Sequence, residues 1–394
     1  MKQEEGTMKA IVIGAGILGS TVAFQLAQRG VDTTIIDGNI PGEAASAASL
    51  AWTNSNNKKL RPYHDLSTMS IMEWSLLARE LGTSAWLRPV GNLHISDSTT
   101  GAEMLKDRVE RLNSYGYAAI PYPTSRLDRL DPCIRLKDEY TYAAFFPFEG
   151  FISTHLLISD LLAASRSLGA RANFGRRVTG LAVKGSQVCG IVLEDGERIE
   201  ADIVIAAAGA GLESLLSHHG VDVRTAGSPG VSLTTSPGAS ALSTVLHLPK
   251  LSARPDSDGR LLVRSKRTDQ QIDLSRSELP ESAIKELMLL VGEHLDDFDP
   301  RLVTAERIKI AARPYLFDGL PVVGHWDGLD GLYVTTMHSG VTLAAIVSRL
   351  AAEEITTGTP SSLLEDFRPQ RVIDAAKLGV GYFDPYALEG ETSK

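Results

Sequence analysis

The chain has 394 residues, 43% of them hydrophobic, with a formal net charge of −9 and a pI near 5.5. Such a length can build two sizeable cores, the apolar content excludes a disordered chain, and the acidity argues against a nucleic-acid backbone as partner. No apolar run nears the ~20 residues that span a bilayer. The polar start M-K-Q-E-E-G-T-M has no signal-peptide core, so a cytoplasmic location is expected. Cys133 and Cys189 exclude a disulfide framework and fit a reducing compartment. Histidines and cysteines show no ligand spacing, so no metal site is expected.

The first informative stretch is Lys9 to Asp37. Ala10 to Ile13 is a short apolar run, the pattern of a buried parallel strand. Gly14, Gly16 and Gly19 follow as G-x-G-x-x-G, with Ile17 and Leu18 between the last two. Ser20 to Arg29 has helical spacing, with Val22, Ala23, Leu26 and Ala27 apolar and Gly30 closing the helix. Val31 to Ile36 reads as a second strand, ending at Asp37. Gly14 permits a tight turn, Gly16 a close approach to pyrophosphate, and Gly19 close packing of helix on sheet. The helix N-terminus offers unpaired N–H groups to phosphate. Asp37 can accept from a ribose, and its charge disfavours NADP. Strand, helix, strand and acid in this order make the dinucleotide reading specific. They leave NAD and FAD both open.

A small-residue loop follows, P-G-E-A-A-S-A-A-S-L, with hydroxyls at Ser46 and Ser49. Trp52 and an amide and hydroxyl cluster from Thr53 to Asn57 come next, then Lys58, Lys59 and Arg61. The spacing predicts a helix over Met69 to Leu81, strand material over Trp86 to Ile95, and a helix over Ala102 to Tyr115. Pro121 to Pro147 is rich in prolines and aromatics and is expected to be mostly irregular. A helix from about Thr154 to Leu168 precedes short strands at Arg177 to Val183, Val188 to Leu193 and Arg198 to Ala201. Glu194-Asp195-Gly196 is a hairpin signal. Asp202 to Ala208 is another buried strand, ending in Gly209-Ala210-Gly211. The adjacent pair His218-His219 is expected to be solvated. Val223 to Arg313 alternates like antiparallel strands, with one helix at about Glu281 to Leu290. Pro321 to Gly324 and Gly331 to Thr335 return to the first domain, Gly340 to Ile355 is a long amphipathic helix, and the tail is expected to fray.

Four segments in order carry a resemblance. They are K-A-I-V-I-G-A-G-I-L-G with Asp37; E-G-F-I-S-T-H-L-L-I-S-D-L-L with G-A-R-A-N-F-G-R-R-V; A-D-I-V-I-A-A-A-G-A-G; and R-P-Y-L-F-D-G-L-P-V-V-G with L-Y-V-T-T-M-H-S-G-V-T-L-A. From about Met8 to Gly358 the chain resembles the FAD-dependent D-amino-acid oxidase family, which includes glycine oxidase, sarcosine oxidase and related amine dehydrogenases. The resemblance implies an α/β fold. A Rossmann-like FAD-binding domain would span 8–85, 150–222 and 318–375, and an antiparallel-sheet substrate domain 86–149 and 223–317, with tails at 1–7 and 376–394.

The resemblance also implies roles. Gly14, Gly16, Ile17, Leu18 and Gly19 would hold the FAD pyrophosphate, Asp37 and Gly38 the adenosine ribose, and Ala45 and Ser46 the phosphates. Val178 would meet adenine through its backbone, and Ala208 and Gly209 would flank the cofactor. His338, Ser339, Gly340, Val341 and Thr342 match the segment at the flavin ring, where a helix N-terminus can offset charge on reduced flavin. Arg313 matches the position that grips a substrate carboxylate. Arg313 and His338 are the candidate catalytic residues, and Trp52 and Asn54, in a loop unlike the family's usual one, are candidate substrate contacts. No cysteine lies near Arg313, so FAD is expected to be non-covalent. The implied reaction is hydride transfer from an amine carbon to flavin N5, giving an imine, with oxygen or another acceptor reoxidising the flavin. An oligomer is possible. Rival readings are an NAD-linked dehydrogenase and an electron-transfer subunit of a larger complex.

Overall fold

The computed structural model describes residues 7–223, 225–272, 274–275 and 278–377. Its central sheet has six strands in the order Val322–His325, Leu332–Thr336, Ile203–Ala206, Lys9–Ile13, Asp32–Asp37 and Arg171–Phe174. All pair in parallel except Val322–His325, which runs antiparallel at one edge. Both faces are covered, which is why these strands read as unbroken apolar runs. Val12, Ile35 and Ile205 face a layer of the helices Ile17–Gln28, Arg61–Leu81, Thr154–Ser167 and Gly340–Thr357. Ile11, Ile13, Ile36 and Val204 face the other way, against Leu181, Val188 and Ile191 of a small antiparallel sheet spanning 178–200.

A second, eight-stranded sheet runs Ala305–Leu316, Thr225–Thr235, Leu261–Arg264, Ser252–Pro255, Val245–His247, Asn92–Ser96, Tyr142–Phe146 and Ile120–Tyr122. Helix Glu281–His294 packs on it through Leu287, Met288 and Val291, and helix Thr99–Ser114 through Leu105, Val109 and Leu112. A third sheet, Trp52–Thr53 and Leu87–Arg88 around Gly150–Ile152, holds the loop after the dinucleotide segment. No helix among the described residues is long and apolar enough to cross a membrane.

The structure corrects several sequence expectations. The helix expected from Met69 begins at Arg61, with Pro62 in its first turn. Its first turns bury Tyr63, His64, Ser67 and Ser70, polar residues that hide the apolar period. The strand expected over Trp86 to Ile95 is broken at Gly91, whose φ of +77° turns the chain from one sheet to another. A Cβ there would lie 2.3 Å from the Phe145 ring. Pro121 to Pro147 is only about half irregular: it contributes strands Ile120–Tyr122 and Tyr142–Phe146 and the short helical turns Thr124–Arg126 and Leu127–Leu130. The segment after Ile355 does not fray at once: Leu364, Phe367 and Val372 are buried before helix Gln370–Lys377 ends.

Candidate functional site

The strand ends Ile13, Ile36 and Ala206 lie side by side, so the loops that leave them share the C-terminal edge of the parallel sheet. Ligands of open α/β sheets bind at such an edge. Gly14 has φ +103° and donates its N–H to the Ile36 carbonyl at 2.8 Å. A Cβ on Gly14 would sit 2.5 Å from the Ala207 carbonyl oxygen, and one on Gly19 only 1.9 Å from that of Gly14. Packing therefore demands both glycines. Gly16 differs: the nearest atom to a Cβ there is Ser46 Oγ at 3.4 Å, so its side of the helix start stays open. Ser46 Oγ accepts from the Ile17 N–H at 3.0 Å and is itself buried, its carbonyl held by Thr154 Oγ1 at 3.0 Å. Ala45 lies half-buried beside it.

Asp37 is half-buried. Its Oδ2 accepts from the Ala15 N–H at 2.7 Å and its Oδ1 from the Asn39 N–H at 2.8 Å, which ties the acid to the glycine turn. Gly38 packs against Arg177, just before Val178. Ala208 and Gly209 (φ +56°) form the corner after the Ala207 N–H bonds to the Ile13 carbonyl at 2.9 Å. His219 is not simply solvated: its Nε2 accepts from the Leu181 N–H at 2.9 Å and pins the strand that begins at Val178.

Ile17 and Leu18 pack toward Gly340, where a Cβ would meet both side chains at 3.6–3.7 Å. This contact brings the start of helix Gly340–Thr357 close to the start of the dinucleotide helix. Two N-terminal helix dipoles thus face one region, an arrangement that suits pyrophosphate and an electron-rich ring system. Val341 and Thr342 are buried, and Ser339 is half-buried. Ser339 Oγ bonds with the Tyr63 hydroxyl. Thr342 Oγ1 accepts from the Asn54 N–H at 3.2 Å and donates to the Trp52 carbonyl at 3.3 Å. Asn54 Oδ1 is buried with no partner among the described residues.

His338 stacks on Tyr315 with ring centroids 3.9 Å apart, and its Nε2 lies 2.8 Å from the Tyr315 hydroxyl. The residue keeps an exposed side; partial loss of ring hydration against Tyr315, and then the charges of Arg313, Lys58 and Arg264, lower its pKa from the ordinary histidine value. The imidazole is therefore neutral at pH 7 and can take the Tyr315 hydroxyl proton in a hydrogen bond.

Arg313 is nearly buried, and Asp269 opposite it is fully so. Its Nη2 donates to the Pro229 carbonyl at 2.7 Å and to Asp269 Oδ2 at 3.2 Å, while its Nε is buried with no partner among the described residues. Asp269 also holds Arg264 at 2.6 Å and accepts from the Val231 N–H at 2.9 Å. One buried carboxylate thus serves two arginines.

Sequence reasoning missed Glu149. It is fully buried and gathers six donors from the loop and its surroundings. Oε1 accepts from the N–H groups of Ser55 and Asn56 at 3.0 and 2.9 Å and from the Tyr117 hydroxyl at 3.0 Å. Oε2 accepts from Trp52 Nε1 at 3.1 Å, Asn56 Nδ2 at 2.7 Å and Asn92 Nδ2 at 2.9 Å. Much of the Trp52 to Asn57 cluster is therefore folded onto this acid. The Trp52 ring lies against His247, the two planes tilted by 45° with centroids 4.1 Å apart. An amide-rich stretch beside an apolar E-G-F-I was the available signal; for Asp269 there was none.

Comparison with known proteins gives the family and the fold. The profile of the family described as FAD dependent oxidoreductase (DAO) matches residues 9–354. The chain belongs to that family, and it is an FAD-dependent oxidoreductase. It is 24% identical to a subunit of the opine oxidase of Rhizobium meliloti, over 91% of this chain and 96% of that protein. It is likewise 24% identical to the D-amino acid dehydrogenase of Methylobacterium sp. (strain 4-46), over 94% of this chain and all of that one. The solved structure of glycine oxidase from Geobacillus kaustophilus shares the fold with a TM-score of 0.82 at 20% identity, covering 93% of this chain and 99% of that one.

Proposed function

We propose that this enzyme oxidises the carbon–nitrogen bond of an amino acid or a related amine. The observation that carries this reading is the positive cluster of Arg313, Arg264 and Lys58 around a neutral His338, beside the N-terminus of helix Gly340–Thr357. Bound FAD supplies a two-electron acceptor. The substrate loses two electrons and two protons and becomes an imine, and water converts the imine to a carbonyl compound and ammonia or an amine. Oxygen or a second acceptor then takes the electrons. Gly14, Gly16 and Gly19 with the first helix hold the pyrophosphate, Asp37 the ribose, Val178 the adenine, and Ser339 to Thr342 the flavin end. No cysteine lies near Arg313 in the sequence, so the cofactor is held without a covalent link. Arg313 orients a substrate carboxylate and His338 with Tyr315 forms a polar wall that needs no net proton. Orientation and exclusion of water are then the protein's main contributions.

A second reading is that the chain works as one subunit of a larger oxidoreductase, favoured by its likeness to a protein named as a subunit. One experiment addresses both. The purified chain is mixed anaerobically with a panel of amino acids and amines, and flavin absorbance is followed. Bleaching by an amine supports the first reading. Bleaching that needs a second polypeptide supports the other, and a flavin untouched by every amine in either form refutes amine oxidation.

A further inference from the structure

The loop from Ser46 to Trp52 joins the two helix starts described above. At one end Ser46 Oγ accepts from the Ile17 N–H, and at the other the Trp52 carbonyl accepts from Thr342 Oγ1. Just before Trp52 stands Ala51, with φ +57°, one of two non-glycine residues in the left-handed region among the described residues. A residue with a Cβ is strained there and persists only where its surroundings fix it. The Ala51 N–H donates to Ser49 Oγ at 2.8 Å, and its carbonyl accepts from the Ile152 N–H at 2.9 Å.

The preceding peptide is held from the eight-stranded sheet. Arg254, 4% exposed on strand Ser252–Pro255, donates from Nε to the Leu50 carbonyl at 2.7 Å and from Nη1 to the Pro255 carbonyl at 2.8 Å. Its guanidinium lies over the Phe151 ring, 4.3 Å from the centroid, and Phe151 pairs with Trp52. Its ion pair with Asp256 is long, at 3.7 Å. Burial, partly offset by Asp256, brings the Arg254 pKa down to about 10, so the group is still charged at pH 7. The two short bonds of this buried cation therefore go to carbonyls, and one of them belongs to the strained turn. Ser232 of strand Thr225–Thr235 donates to the Ala47 carbonyl at 3.2 Å, so the same sheet grips the loop at a second point. Leu50 itself packs with Phe151, Val245 and Leu262.

We propose that Arg254 is a positioning residue for the cofactor: by holding the Leu50 carbonyl it locks the left-handed turn at Ala51, and FAD affinity depends on this contact from the second sheet. The inference rests on the placement of FAD proposed above, from the glycine turn to Ser339–Thr342. Without the clamp, Ala51 relaxes toward ordinary backbone regions, and only a fraction of chains keeps the binding shape. Apparent affinity falls by that fraction. Glycine at position 51 takes positive φ without strain and so restores part of it.

The test dilutes full-length holoenzyme and follows released flavin fluorescence, which gives the FAD dissociation constant without turnover. Arg254→Met should raise that constant roughly tenfold or more, the factor that one lost charge-assisted bond corresponds to. Visible circular dichroism of the bound flavin should change with it. Ala51→Gly alone should alter the constant little, whereas in the Arg254→Met background it should recover a factor of roughly five. A role confined to packing would lower the melting temperature with no such rescue. If Arg254→Met does not fold, Arg254→Lys carries the test. Its ammonium is a point charge, not a flat fork that spans both carbonyls and covers the Phe151 ring, so a smaller loss with the same glycine rescue is expected. The proposal is overturned by an unchanged dissociation constant in the Arg254 variant, or by a loss that Ala51→Gly does not reduce. Asp37→Ala, measured alongside, separates the two failures. Weaker FAD binding there with none in the Arg254 variant refutes the clamp alone, and unchanged affinity in both refutes the FAD placement as well.

Discussion

Replacing Glu149 by glutamine tests whether the substrate-side loop is organised by one buried acid. Glutamine keeps the shape but turns one acceptor oxygen into an amide that donates. Whichever oxygen is lost, three donors then face a donor, for example Trp52 Nε1, Asn56 Nδ2 and Asn92 Nδ2. Hydrogen bonds to a charged group contribute ~1.5–3 kcal/mol each, which sets an upper bound well above 4 kcal/mol. Two terms reduce it. The buried charge itself is unfavourable, as its upward-shifted pKa shows, and flips of Asn56 and Asn92 can re-pair part of the network. The net loss should be about 3 kcal/mol. With unfolding entropy of ~2 cal/mol/K per residue, that lowers Tm by roughly 4 °C in a chain of this length. Scanning calorimetry of the FAD-loaded protein measures the shift, and Trp52, whose indole loses its acceptor, should brighten or shift in fluorescence. A Tm within 1 °C of wild type, with unchanged emission, would refute the role of Glu149 as the organising acid.

Three further outcomes follow from the same geometry. Asp37→Ala should weaken FAD binding tenfold or more in a fluorescence titration without unfolding the chain, since one charge-assisted bond contributes ~1.5–3 kcal/mol; equal affinity would place the ribose elsewhere. Acid precipitation should leave the yellow colour in the supernatant, and a yellow pellet would mean a covalent link. Arg313→Ala should lower kcat/KM for a carboxylate substrate by ~2–5 kcal/mol, while FAD content holds because Asp269 keeps Arg264 and the Val231 N–H. Normal turnover by that variant would remove Arg313 from the site.

Much of the fold was legible because local and global signals agree in it. Strand Lys9–Ile13 and its neighbours are buried on both faces and read as apolar runs, and helix Gly340–Thr357 is apolar over most of its length and buried on every side from Gly340 to Ser348. Errors occurred where a buried side chain is polar. The first turns of helix Arg61–Leu81 hide their period behind His64, Ser67 and Ser70. The strand after Trp86 changes sheets at a glycine with positive φ, where a Cβ would also meet Phe145, a residue 54 positions away in the sequence.

The site divides in the same way. The glycine turn and Asp37 are contiguous in sequence, and their chemistry is carried largely by the backbone, so a motif can announce them. The substrate side depends on charges that meet only after folding. Arg313 finds Asp269 from a different element, and Glu149 draws on donors from Trp52, Ser55, Asn56, Asn92 and Tyr117. Pairing decides what each charge can do. An arginine read alone promises a two-pronged grip, but with Asp269 and Pro229 on Nη2 it becomes a partly committed cation. A lysine in a polar run reads as solvated surface, but Lys58 is buried over the Tyr63 ring, with no acceptor for its ammonium among the described residues.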